Sequence, residues 1–299
     1  MEGMPMGKRT DLALEAQELW REGAAETTKL PGVRARTERW EGQSVTRVEI
    51  LDPRGAEALG KPVGTYLTLD LTAYWQREEG FFPRAVEGLG QLLRDLLPEE
   101  GSVLVVGLGN AAMTADAVGP ETLRNLLVTR HLMASLPRQF SGFRQVSAFA
   151  AGVLGDTGVE SAEAVSALVR ELRPDCVIAV DALAARSSRR LNRTIQITDT
   201  GIHPGSGVGN HRNGLTEDNL QVKVIGIGVP TVVDAATIVH DSMAHLLDAL
   251  EEAEQKEFLE EMIAPNLYSM FVTPKDVDET VKYLSFTISE GLNIAFSEI

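Results

Sequence analysis

The fold is decided by residues 177–210, which read VIAVDALAARSSRRLNRTIQITDTGIHPGSGVGN. The stretch begins inside a short apolar run, residues 176–180, whose length fits one buried strand. Asp181 follows at the predicted end of that strand, and open α/β sheets bind their ligands at the carboxyl ends of strands. Residues 194–198 alternate between polar and apolar side chains, which predicts a second strand. A glycine-rich loop starting at Gly201 closes the stretch, and its backbone must turn tightly or lie close to another group.

Predicted strands and helices alternate along the chain on both sides of this stretch. Further strands are predicted at residues 45–51, 66–71, 102–106, 146–149 and 222–227. Helices are predicted at residues 11–21, 84–97, 120–132, 161–172, from about 237 and from about 275 to 292, with a turn at residues 52–55. This order predicts an α/β fold with a mostly parallel central sheet flanked by helices. Since no internal repeat or low-complexity linker interrupts the sequence, we expect a single domain.

The composition restricts the classes of function. The chain has 299 residues and a net charge of −15, so it should repel nucleic acid, and we expect no direct binding of nucleic acid. Its one cysteine, Cys176, excludes an internal disulfide and a cysteine metal cluster, which fits a reducing cytoplasm. The N-terminus is polar and no apolar run approaches the ~18 residues of a membrane span, so we expect a cytoplasmic protein without a signal peptide or a membrane partner.

Two aspartates are the first candidates for chemistry. Asp116 and Asp181 each follow a predicted core strand of the same sheet, Asp181 directly and Asp116 after a loop. Because strand ends in such sheets converge on one crevice, the two carboxyls can meet there. A close pair of carboxyls can share one proton, so that one activates water while the other protonates the leaving group. Taken singly, however, each aspartate fits a helix cap or a loop acid, and the spacing leaves both interpretations open.

Other side chains near the pair suggest alternatives. His203 lies in the glycine-rich loop and suits a general base or a metal ligand. Together with Asp116 and Asp181 it makes an oxygen and nitrogen set that metals accept, so a metal-dependent hydrolase is one alternative. A basic patch that can hold an acidic peptide, or stay solvated, is formed by Arg186, Arg189, Arg190 and Arg193.

Several longer motifs resemble the germination protease family, endopeptidases that degrade small acid-soluble spore proteins when bacterial spores germinate. The resemblance covers nearly the whole chain. It rests on RTDLA (residues 9–13), VGLGN (106–110), DAVGP (116–120), IGVPTVVDA (227–235), VTPK (272–275) and the unbroken stretch 178–210. It implies a fold similar to that of hydrogenase maturation proteases and an aspartic-type mechanism without a cofactor or metal. The catalytic aspartates of the family fall on Asp116 and Asp181.

The resemblance also implies a zymogen that processes itself. Residues 1–11 would be a propeptide and residues 12–299 the peptidase domain, with cleavage between Asp11 and Leu12. The order of threonine, an acid, an apolar residue and alanine at residues 10–13 is the pattern cut in the spore-protein substrates. Those substrates are the implied partners, a homotetramer is the implied assembly, and the implied location is the cytoplasm of the forespore or spore core. We assign Arg186 and His203 to substrate binding.

The chain departs from the family pattern at three places. Ala115 stands where the family has a proline before the first catalytic aspartate, and Ala151 replaces a proline before Gly152. A segment that is often longer in relatives is compressed around residues 250–261. Since both alanines can loosen a loop without removing a reactive group, they leave a third hypothesis, an inactive binding module.

Overall fold

The computed structural model describes residues 10–22, 30–40, 43–75, 78–205, 213–247, 267 and 270–297. The strands in these ranges are β1 (Val33–Trp40), β2 (Gln43–Ile50), β3 (Gly64–Asp70), β4 (Val103–Leu108), β5 (Val146–Gly152), β6 (Cys176–Ala185), β7 (Thr194–Thr198), β8 (Lys223–Asp234) and β9 (Phe271–Val272). The helices are α1 (Ala13–Glu22), α2 (Pro53–Leu59), α3 (Thr72–Trp75), α4 (Phe81–Leu96), α5 (Val118–Asn125), α6 (Arg130–Ser135), α7 (Leu154–Thr157), α8 (Ser161–Leu172), α9 (Glu217–Leu220), α10 (Ala235–Leu247) and α11 (Val277–Phe296). None of the helices in these ranges is both long and apolar enough to cross a bilayer.

One mixed sheet forms the centre of the molecule, with the strand order β1-β2-β3-β7-β8-β6-β4-β5 and with β9 paired to β8. The predicted α/β fold, with a central sheet flanked by helices in a single domain, is confirmed. The parallel pairings, however, are confined to β5, β4, β6 and β8, and every other described pairing is antiparallel. We call the strands β1, β2, β3 and β7 the antiparallel wing. Within it, β1 and β2 are separated by only two residues, a connection that permits antiparallel pairing alone, whereas β3 and β7 come from distant parts of the chain.

Apolar side chains cover both faces of the parallel core. In β6, Ile178 and Val180 pack towards α4 and α11, whereas Val177 and Ala179 pack towards α8. A strand that is covered on both faces reads as a continuous apolar run, which is why residues 176–180 carry no polar side chain. The two apolar clusters therefore fix which face of the sheet each residue of β6 points to.

The helix predicted at residues 120–132 is wrong as a single element. The structure breaks it into α5 and α6, with Leu126 in extended backbone at φ −74° and ψ 133°. The break is held by tertiary hydrogen bonds, since the Leu127 backbone N donates to Asn293 Oδ1 at 2.8 Å and the Val146 backbone N donates to Thr129 Oγ1 at 2.8 Å. Partners distant in sequence thus override the local helical pattern.

The turn predicted at residues 52–55 is the start of α2. Asp52 caps this helix by accepting hydrogen bonds from the backbone N of Arg54 and Gly55, and Pro53 occupies its first turn. The predicted helix at residues 161–172 and the predicted strand at residues 194–198 are confirmed.

Candidate active site

Asp181 lies inside β6 and not at its end. β6 runs on to Ala185 because it stays paired with the long β8, whereas its pairing with β4 stops at Val180. The predicted strand end before Asp181 is therefore wrong, but the residue still lies level with Leu108, the last residue of β4. Asp181 is 4% exposed, and its Oδ1 accepts a hydrogen bond from the Ala182 backbone N at 2.9 Å.

Asp116 is the last residue of a 3-10 turn, Thr114–Asp116, that follows β4. Gly109, with φ +101°, lets the chain fold back here, since a Cβ at this position would lie 2.0 Å from the Asp116 carbonyl oxygen. The Asn110 backbone N donates to Asp116 Oδ2 at 2.7 Å. From β8, Thr231 Oγ1 donates to the Ala115 carbonyl at 2.5 Å. The turn is thereby fixed over the carboxyl end of β4, beside β6 and β8.

The start of α5 sits directly on the sheet next to this turn. A Cβ on Gly119 would lie 2.4 Å from the Leu108 carbonyl oxygen and 2.6 Å from the Val180 carbonyl oxygen. Only glycine permits this approach of a helix to two strands at once. The structure thus brings Asp116 and Asp181 to one edge of the parallel core, and their catalytic role stays a prediction.

Residues 10–13, where the resemblance predicts self-cleavage, lie along the last part of β6. The Asp11 backbone N donates to the Ala184 carbonyl at 3.2 Å, and the Ala184 backbone N donates to Asp11 Oδ2 at 2.9 Å. Lys61 Nζ donates to the Thr10 carbonyl at 2.8 Å. Burial lowers the pKa of Lys61, while the negative charges of Asp11 and Glu15 oppose that shift. The acidic side chain of this segment is therefore met by a backbone N–H and by a nearby cation.

Leu12 anchors the segment in the core. It is fully buried, and it packs in the same apolar cluster as Ala179 and Leu183 of β6. Because alternate residues of a strand share one face, Asp181 points to the same face of the sheet as these two residues. The bond between Asp11 and Leu12 thus lies on the face of the sheet to which Asp181 points.

Gln196 of β7 contacts this segment on both sides of that bond. Its Nε2 donates to the Asp11 carbonyl at 3.1 Å, and its Oε1 accepts a hydrogen bond from the Ala13 backbone N at 2.8 Å. Gln196 and Asp181 both pair with Gly228 of β8, one from each side. They are therefore level in the sheet, on one face, and two strand spacings or about 10 Å apart.

Sequence reasoning missed Gln196 and Lys61. The available signal for Gln196 is the alternation in residues 194–198, which puts three polar side chains on one face of a strand that is buried throughout. A buried polar side chain requires a partner, and here the partner is backbone that lies far away in sequence. No local pattern marks Lys61, which follows a helix-ending glycine.

His203 lies near the same acidic residue. Burial and the charge of Lys61 lower the pKa of His203, and Asp11 raises it, with burial the largest influence. A Cβ on Gly214 would lie 2.6 Å from the imidazole ring, so the returning strand of the loop passes close to it. The rest of the glycine-rich loop, residues 206–212, lies outside the described residues, and substrate binding by His203 stays a prediction.

Part of the predicted basic patch is used by α1. Glu15 is buried and accepts hydrogen bonds from the backbone N of Arg186 at 2.7 Å and of Ser187 at 3.0 Å. Arg190 pairs with Glu15 at 3.5 Å and with Glu18 at 2.6 Å. These bonds dock the first helix on the end of β6. The assignment of Arg186 to substrate binding stays a prediction.

The metal-hydrolase alternative proposed Asp116, Asp181 and His203 as ligands. In the part of the chain that the structure describes, no group of three or more His, Cys, Asp or Glu side chains could hold a metal ion. These three residues thus do not fit a metal centre.

A search of solved structures found a [NiFe] hydrogenase maturation protease, HycI from Thermococcus kodakarensis. The likeness covers 47% of this chain and 80% of that chain, with 18% sequence identity and a TM-score of 0.31. At that score it carries no argument about fold or function.

Sequence comparisons give a stronger result. A family model described as germination protease matches residues 13–250. The germination protease of Caldanaerobacter subterraneus subsp. tengcongensis is 45% identical over 97% of this chain and 94% of its own. That of Clostridium perfringens is 40% identical over 96% and 94%, and that of Bacillus cytotoxicus 38% identical over 96% and 93%. The resemblance seen in the motifs is confirmed, and the chain belongs to the germination protease family.

Proposed function

We propose that this protein is an aspartic-type endopeptidase, made as a self-processing zymogen, that starts the degradation of small acid-soluble, DNA-binding spore proteins during germination. Membership of the germination protease family supports a spore protease. The observation that carries the rest is the position of residues 10–13. This substrate-like sequence lies along β6, bonded to Ala184, on the face to which Asp181 points.

The chemistry is hydrolysis by a shared-proton pair. Asp116 and Asp181 hold one proton between them, so one carboxylate takes a proton from water while the other protonates the leaving amine. The water oxygen bonds to the carbonyl carbon of Asp11 and the bond to the Leu12 nitrogen breaks. A carboxyl group remains on Asp11 and an amine on Leu12, so atoms balance without an added cofactor.

Preference for an acid before the cut bond follows from the groups around Asp11. The Ala184 backbone N–H bonds its carboxylate, and the cation of Lys61 lies nearby. A hydrogen bond to a charged group contributes about 1.5–3 kcal/mol, which is tenfold or more in rate or affinity. We call the surface of β6 and β7 that residues 10–13 occupy the substrate groove. Arg186 and His203 complete its acid-binding side.

The uncut chain blocks its own groove. An external peptide would need the same backbone groups of Ala184 that Asp11 occupies. Removal of residues 1–11 as a propeptide would free the acid-binding contacts and leave residues 12–299 as the peptidase. Activation is therefore built into the contacts of residues 10–13.

Partners and assembly follow the family. The substrates are the spore proteins and not their DNA, since a net charge of −15 disfavours contact with nucleic acid. We place the protein in the cytoplasm of the forespore or spore core, as a homotetramer. Exposed apolar side chains at β9, Met270, Phe271 and Val272, offer one surface for a subunit contact.

The test compares chains that start at Leu12, so that failure of self-processing cannot explain a loss of activity. With a purified small acid-soluble spore protein, Asp181→Asn and Asp116→Asn should each lower kcat by about 10²- to 10⁴-fold. Asp175→Asn is the matched control, because Asp175 lies just before the amino end of β6 and bonds Ser102. Fragment masses should place the cuts after Glu or Asp.

Three outcomes would contradict the proposal. Full activity in either variant removes that residue from the catalytic pair. Activity that is lost on chelation and restored by a divalent metal favours the metal-dependent hydrolase. Binding of the spore protein without any cut favours the binding module.

A further inference from the structure

We propose that Gln196 is a third catalytic residue, whose side-chain amide grips the bond to be cut and stabilises the charge that develops on its carbonyl oxygen. This role rests on the proposed function, because it takes the bond between Asp11 and Leu12 as the one that is hydrolysed. It supplies a hydrogen-bond donor for the carbonyl oxygen that does not depend on the proton shared by the two aspartates.

The two hydrogen bonds of Gln196 fix the orientation of its amide. The Asp11 carbonyl can only accept and the Ala13 backbone N–H can only donate, so Nε2 must face Asp11 and Oε1 must face Ala13. The Asp11 carbonyl is the oxygen of the Asp11–Leu12 peptide link itself, and the Ala13 N–H belongs to the next link. A single side chain therefore holds the link at its own oxygen and at the N–H that follows it.

The strand that carries Gln196 is rigidly placed. Gln196 is 5% exposed, and its strand pairs with β3 through Thr68 and with β8 through Gly228. Asp181 pairs with the same glycine from the other side. Gly228 carries no side chain, and the side chain of Leu183 fills the space over it. Because Gln196 and Asp181 both pair with Gly228, a peptide bond held by Gln196 lies on the face of the sheet to which Asp181 points.

The chemistry needs a donor at this place. When water adds to the carbonyl carbon of Asp11, the carbonyl oxygen gains negative charge, and a fixed N–H aimed at that oxygen lowers the barrier. Gln196 exchanges no atom in this step and keeps its protons. Because Gln196 bonds only backbone groups, it can hold in the same way any spore-protein segment that has an acid at the position of Asp11.

The variants Gln196→Glu and Gln196→Leu separate grip from catalysis. At pH 8, glutamate keeps an oxygen for the Ala13 N–H but loses the N–H that faces the Asp11 carbonyl, and leucine loses both. In the full chain, we expect both to slow self-processing by about 10²- to 10³-fold, as measured by mass spectrometry over time. Thr198→Val is the matched control on the same face of β7, and it should process at the wild-type rate.

Amide hydrogen exchange at Ala13 is a second measurement, which reports whether residues 10–13 stay bound to Gln196 in a folded chain that is not cleaved. In an Asp181→Asn background, amide exchange at Ala13 should stay slow in Gln196→Glu and become at least tenfold faster in Gln196→Leu. A purely structural role would make processing follow that protection, so Gln196→Glu would process normally. Catalysis by the amide predicts a protected segment that is not cut.

The failures are distinguishable. If Gln196→Glu processes within threefold of the wild type, Gln196 is not catalytic, and the proposed function is untouched. If the wild type cuts a spore protein but never cuts between Asp11 and Leu12, the bond assignment and the role of Gln196 both fall, and the peptidase remains. Equal amide exchange at Ala13 in the Asp181→Asn chain and in its Gln196→Glu and Gln196→Leu variants would show that Gln196 does not hold the segment.

Discussion

Among single residues, Asp11 is where the charges of the site meet. Its carboxylate accepts the Ala184 N–H, its carbonyl accepts from Gln196, and its charge acts on both Lys61 and His203. Burial works in the opposite direction on the two bases, because it disfavours their charged forms. Asp11 therefore raises the pKa of both Lys61 and His203, the two bases beside it.

The pKa of His203 tests this coupling. In an uncut Asp181→Asn chain, Asp11→Asn should lower the pKa of His203, because the negative charge of Asp11 favours the protonated imidazole and the substitution removes it. NMR titration of the imidazole measures the shift, and Asp175→Asn, at the other end of β6, should leave it unchanged. A pKa of His203 that rises or stays constant in the Asp11 variant would show that the two groups do not interact.

The lowered pKa of His203 also predicts how the free energy of unfolding depends on pH. The folded-state pKa of His203 lies below the ordinary 6.5, so between the two values the unfolded chain binds more protons. The free energy of unfolding should therefore rise as pH increases through that window and fall as pH decreases. Because Asp11→Asn lowers the folded-state pKa of His203 further, the pH range over which stability changes should extend to lower pH.

Among the elements, the contact of α5 with β4 and β6 positions the candidate pair. Asp116 precedes α5 and Asp181 follows Val180, and Gly119 touches backbone of both strands. A side chain at Gly119 would have to push backbone and not a flexible side chain. The helix, the turn before it and the carboxyl of Asp116 would then move together.

Gly119→Ala should consequently impair both stability and self-processing. We expect a loss of about 1–3 kcal/mol in the free energy of unfolding, measured by urea titration, and processing at least tenfold slower. Gly155→Ala is the matched control, because a Cβ in that helix would meet nothing within 4 Å. An unchanged processing rate in Gly119→Ala would mean that the position of α5 does not govern the site.

The elements also show what the sequence could predict. Asp181 looked like a strand end because it is the first charged residue after an apolar run, but β6 continues since β8 pairs with it to Ala185. The break between α5 and α6 was invisible because its cause is Asn293, far along the chain. Local patterns located most of the long strands and helices but not β1, and partners distant in sequence decided where β6 and α5 end.

In the whole molecule, the two parts of the sheet contribute different groups to one site. The parallel core carries Asp181 and supports Asp116, and both were found from the rule for strand ends. The antiparallel wing carries Gln196, which sequence reasoning missed because the pairing of β7 with β8 is not written in local periodicity. The N-terminal segment joins the two parts by lying on β6 and bonding β7.

The mass of the full chain over time is the most direct test of self-processing by this site. The wild type should lose residues 1–11 and leave a chain that begins at Leu12, and Asp175→Asn should do the same. Asp181→Asn should keep its full mass, because one carboxyl of the pair that shares the proton is gone while the side chain keeps its shape. Loss of residues 1–11 from Asp181→Asn at the wild-type rate would contradict the account.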